Sequence, residues 1–79
     1  MARRELDGFE AVSAAVPGDD GYDAAIAVKA QGAGGAPIFH RVLPGQKFRT
    51  ALLADVAAAE ELTRLAAIDA EGGLSFTPG

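Results

Sequence analysis

The segment Thr50-Ala51-Leu52-Leu53-Ala54-Asp55-Val56-Ala57-Ala58-Ala59-Glu60-Glu61-Leu62-Thr63-Arg64-Leu65-Ala66-Ala67-Ile68-Asp69-Ala70-Glu71-Gly72-Gly73 decides the fold class. Alanine is the best helix former, and leucine and glutamate are close behind. Thr50 can cap the start, its hydroxyl accepting from a free backbone N–H. Gly72 suits the left-handed position just past a helix C-terminus. The spacing predicts one helix over 50–71, about 30 Å long. At 100° per residue, Leu52, Val56, Ala59, Leu62 and Ala66 share an arc, with Ala51, Ala58 and Leu65 at its margin. Glu60, Arg64 and Glu71 lie opposite, and Glu60 and Arg64 have the favourable i,i+4 order. Leu53 and Ile68 flank the charged side, where a single sheet does not reach. Both are therefore candidate contact residues.

Everything before this helix reads as short strands and turns. Residues 9–16 form a first expected strand, stopped by Pro17-Gly18-Asp19-Asp20-Gly21. The second, Tyr22 to Ala30, sets Tyr22, Ala24, Ile26 and Val28 on one face. The stretch from Gln31 to Pro37 reads as a hairpin loop. A third strand, Ile38 to Leu43, stops at Pro44-Gly45, which suits the centre of a type II turn. Leu74 to Thr77 can add a short fourth strand. The expectation is an α+β fold: a three-stranded antiparallel meander packed by one C-terminal helix, in a single domain over 1–79.

The chain has 79 residues, no cysteine and one histidine. A chain this short buries only about 60% of its unfolded surface, so a partner surface is a natural source of stability. Disulfides are excluded, and a lone imidazole without thiolates argues against a metal. No cofactor is expected. The N-terminus lacks the apolar run of a signal peptide, and no stretch approaches the ~18 apolar residues of a membrane span. The expectation is a soluble cytoplasmic protein, not an enzyme, that forms a homodimer, with another protein partner open.

Net charge is −4, which argues against nucleic acid. Residues 38–50 nevertheless carry Arg41, Lys47 and Arg49 with no acid. With His40 and Phe48, this basic island offers an alternative reading as a weak nucleic-acid-binding module. A blander reading pairs these cations with acids of the helix or of a partner. Arg41, Lys47 and Arg49 thus join Leu53 and Ile68 as candidate interaction residues.

Catalytic chemistry is sparse. His40 shares a strand face with Ile38 and Val42, and is read as a strand histidine with a satisfied hydrogen bond. No local spacing sets it beside Ser13, Ser75 or a threonine with an orienting carboxylate. Asp55 and Asp69 stand about 21 Å apart by helical rise, too far to share a substrate. Asp55 reads as a dipole and capping partner, and Asp69 as an end-of-helix contact. Gly32-Ala33-Gly34-Gly35 lacks the Lys-Ser/Thr and the following helix of a phosphate loop.

Phe48-Arg49-Thr50 entering the helix, Ala54 and Ala58 within it and Ile68-Asp69 closing it resemble a group of small bacterial proteins of unknown function. Tyr22, Ile26 and Val28 are similar to the middle strand of that group. The resemblance implies a β-β-β-α layout and no activity. Gly45-Gln46-Lys47 before an alanine-rich helix is also similar to the end of a double-stranded-RNA-binding domain. Ala51-Leu52-Leu53-Ala54 stands where that module has its basic cluster, and no N-terminal helix precedes the strands.

Overall fold

The computed structural model describes residues 2–32 and 35–77. Asp7-Gly8 makes the first turn of the sheet. Both residues have positive φ, 54° and 81°, as a type I′ hairpin requires, and Asp-Gly is a strong signal for it. The turn joins β1 (Arg3–Leu6) to β2 (Phe9–Gly18). This N-terminal strand was hidden in the sequence by its run of charges, Arg3-Arg4-Glu5. Asp19-Asp20 then links β2 to β3 (Gly21–Ala30), with Gly18 paired to Gly21. β4 (Ile38–Arg41) completes an antiparallel sheet of order β1-β2-β3-β4. The fold is α+β with one helix on an antiparallel meander, and the meander has four strands rather than three. Of the 31–37 loop, Ala33 and Gly34 lie outside the described residues.

Pro44-Gly45 turns the chain after β4. Gly45 has φ 88°, and the Gln46 N–H donates to the Leu43 carbonyl. The chain then returns to the start of β3, where Tyr22 and Phe48 exchange two backbone hydrogen bonds of 2.9 Å. Only glycine fits the neighbouring position. Gly21 has φ 136°, and a Cβ there would lie 2.8 Å from the Phe48 carbonyl oxygen.

The helix, α1, spans Ala51–Thr63, with the Thr50 hydroxyl accepting from the Leu53 N–H. It is much shorter than the expected 50–71. Leu65–Ile68 form β5, which pairs with β6 (Leu74–Phe76) as a separate two-stranded sheet. Tertiary contacts override the helical propensity of Leu65-Ala66-Ala67-Ile68. The Arg4 guanidinium takes the carbonyls of Leu62 (3.0 Å) and Leu65 (2.7 Å). The Asp7 carboxylate accepts from the Ile68 N–H at 2.9 Å. Gly72 accordingly sits in the β5–β6 loop and not at a helix end. Asp69 organises that loop, accepting from the N–H groups of Glu71 and Gly73.

The inward face of α1 is also not the expected arc. Ala54, Ala58 and Leu62 are buried, whereas Leu52 and Val56 are exposed. Ile68, expected at the surface, is only 4% exposed and belongs to the core with Ile26, Val28, Leu62 and Leu65. Arg64 pairs with Glu61 rather than with Glu60. The molecule is a slab 34 × 31 × 18 Å, the thickness of two layers. One sheet face therefore carries the helix and the small hairpin, and no other described element covers the second face.

Gly21→Ala should lower stability by about 2 kcal/mol, through left-handed backbone strain and collision with a backbone oxygen. Gly32→Ala, with φ 74° and no atom within 4 Å of its added carbon, should cost about 1 kcal/mol. Urea denaturation of both variants measures the difference.

Candidate interaction surface

Register decides which side chains meet. The Ser13 N–H donates to the Ala2 carbonyl, and the Val42 N–H to Ala24. Backbone partners alternate along a strand, so the whole sheet follows from these two bonds. Ser13, Ile26 and His40 lie in one row on the helix side. The Ser13 hydroxyl is fully buried. It accepts from the Ala2 N–H at 2.8 Å and donates to Asp55 Oδ1 at 2.6 Å. That donation, opposed by partial burial, holds the Asp55 carboxyl below its ordinary value. Asp55 is thus a tie between helix and sheet and not a capping residue.

This row also answers the catalytic question. Ser13 and His40 are two strand spacings apart, roughly 9–10 Å, with Ile26 between them. The Ser13 proton is directed at Asp55. His40 Nε2 is buried without a hydrogen-bond partner, contrary to the expected satisfied histidine. Its strand position sets it beside Ile26, whose side chain offers no donor or acceptor. Among the described residues, no three metal-ligating side chains gather. Among the described residues, no helix is long and apolar enough to cross a membrane.

The basic island is largely neutralised from within. Asp23 receives Lys47 Nζ at 3.0 Å and Arg41 Nε at 3.2 Å. Lys47 also lies 3.6 Å from Asp20. The acids come from the β2–β3 hairpin and not from the helix. The Lys47 hydrogen bond holds the Asp23 carboxyl below its ordinary value, against the opposing effect of desolvation, with Arg41 adding to the lowering. Reciprocally, Asp23 raises Lys47. Arg49 is exposed and has no ion-pair partner among the described residues.

The large exposed apolar side chains fall in two places. Ile38 (50% exposed) and Phe39 (55%) sit on the edge strand β4. Leu52 (70%), Leu53 (49%) and Val56 (50%) cover the outside of α1. Leu53 was legible as a contact candidate from the helical projection. Leu52 and Val56 were missed because the projection placed them on the core arc, and Ile38 and Phe39 because strand pattern alone does not reveal a sheet edge. An open depression of about 420 Å³ lies on the uncovered side near Val16, Pro17, Phe39 and Arg41. No family model matches this chain, and the searches of curated proteins and of solved structures found no similar protein.

Two outcomes follow for stability. Asp23 and Asp55 are both held below the ordinary 3.8, so their contributions are present above that value. They are lost as pH falls through the lowered folded values. Urea stability should decline steeply below about pH 4, and Asp23→Asn should flatten that decline. The Lys47 contribution has the opposite sign and is lost only as pH rises above its raised value, beyond 10.5. Ser13→Ala should cost about 1–3 kcal/mol, because the Ala2 donor and the Asp55 acceptor both lose a buried partner.

Proposed function

We propose that this chain is a non-catalytic interaction protein that associates with a second copy of itself. The observation that carries the reading is an inverted distribution of size. Ala11, Ala24, Ala25, Ala54 and Ala58 fill buried positions, while Leu52, Leu53, Val56, Ile38 and Phe39 stand 49–70% exposed. Fully burying a large apolar side chain is worth about 1.5–3 kcal/mol. Each of these five therefore retains a large part of that gain for an intermolecular contact. Exposed apolar surface clustered on an edge strand and on a helix face is the usual mark of a protein contact. The engaged Ser13 proton and the intervening Ile26 support the non-catalytic half of the reading.

The alternative, a weak nucleic-acid-binding module over residues 40–49, has less support. Arg41 and Lys47 are committed to Asp23, which leaves Arg49 as the island cation without an ion-pair partner among the described residues. Phosphate binding needs several uncommitted cations.

Light scattering after gel filtration tests the reading. A dimer is expected in the micromolar range, and a clean monomer at high micromolar concentration would overturn it. The variants Phe39→Lys and Leu52→Lys/Val56→Lys should both fold, since each replaces exposed side chains. At least one should weaken association tenfold or more.

A further inference from the structure

We infer that β4 is the self-association surface, and that two copies join edge to edge, antiparallel, with the two-fold axis at His40. This inference rests on the self-association proposed above and specifies its geometry. The Val42 N–H donates to the Ala24 carbonyl, and Ile26 pairs with His40 and Val28 with Ile38. Alternation therefore turns the N–H and C=O groups of Phe39 and Arg41 away from β3. They form a free hydrogen-bonding edge, with no backbone partner among the described residues.

The sheet's other free edges carry protection. β1 presents Arg3 and Glu5 along its outer side, and such charges discourage pairing. β2 runs beyond β1 from Ala14 to Gly18. There Pro17 removes the donor at an outward-facing position. The charge on β4 is Arg41, and Asp23, which also receives Lys47, offsets part of it at 3.2 Å. β4 also bears an exposed apolar residue on each face of the sheet, Ile38 and Phe39.

Three antiparallel registers would join the outward residues, and chemistry selects one. Pairing Arg41 with Arg41 of the second copy opposes like charges. Pairing Phe39 with Phe39 sets Arg41 against Pro37, which has no N–H to donate. Pairing Phe39 with Arg41 makes four backbone hydrogen bonds. It lays each guanidinium beside the other copy's aromatic ring, a favourable cation–π arrangement. Across the other face, Ile38 meets Val42. Two four-stranded sheets become one of eight strands, and the exposed edge disappears.

The chain has no cysteine, so single-cysteine cross-linking reports register directly. On the axis, the two copies of residue 40 form a non-hydrogen-bonded pair about 4.5 Å apart between Cα atoms. That separation lies inside the disulfide range. His40→Cys should oxidise to a covalent dimer, while Phe39→Cys and Arg41→Cys should not. Phe39→Lys, which leaves the fold intact because the side chain is exposed, should give a monomer. A wild-type dimer that survives Phe39→Lys, or that cross-links through Val56→Cys and not His40→Cys, overturns the β4 edge while leaving self-association standing. A wild-type monomer at high micromolar concentration overturns both.

Discussion

The structure depends on the close approach of α1 to the sheet, and alanine makes that approach possible. Ala54 and Ala58 face a surface that contributes Ala11 and Ala24 to the core. Small side chains on both sides bring the backbones near enough for short polar groups to meet. Serine and aspartate reach only a little way from their chains, yet Ser13 and Asp55 meet at 2.6 Å. A leucine at position 54 or 58 would hold the layers apart and break that hydrogen bond. Packing and polar satisfaction are therefore one constraint, since the buried Ser13 hydroxyl and the half-buried Asp55 carboxylate meet at this seam.

The same approach explains why the large residues lie outside. With alanines in the seam, Leu52, Leu53 and Val56 have no internal place. The core draws its bulk instead from β3, from Leu62 and from the β5–β6 hairpin. That hairpin closes the end of the layer that a thirteen-residue helix leaves open. Arg4 and Asp7, from the first hairpin, hold it by side-chain hydrogen bonds to the backbone of Leu65 and Ile68, 61 positions away in sequence. Sequence-local and sequence-distant parts of the fold are thus joined at one corner.

Much of the sheet was legible. The alternation of Tyr22, Ala24, Ile26 and Val28 identified β3, and Pro44-Gly45 identified the turn after β4. The Asp7-Gly8 signal was present in the sequence, but the charges around it concealed a strand whose outer side faces solvent. The surface was less legible. Leu53 was recognised as a contact candidate, whereas Ile38 and Phe39 read as ordinary strand residues. Whether a strand lies at a sheet edge depends on pairing order, which local pattern does not encode. Arg41 and Lys47 read as an island paired with acids of the helix or of a partner, because Asp23, their counterion, is distant in sequence from both.

Sequence by itself determined the elements with local causes: the turns set by Asp, Pro and Gly, the strands set by period-two alternation, and the Thr50 start of the helix. Tertiary structure decided where that helix ends and which face it buries. In an alanine-rich segment, hydrophobic periodicity is weak, because alanine is accommodated both in a core and in water. Leu65-Ala66-Ala67-Ile68 can form either a helix or a strand, and Arg4 and Asp7 capture it as a strand. The choice between faces goes to the one that lets Ser13 reach Asp55, and Leu52 and Leu53 are left exposed.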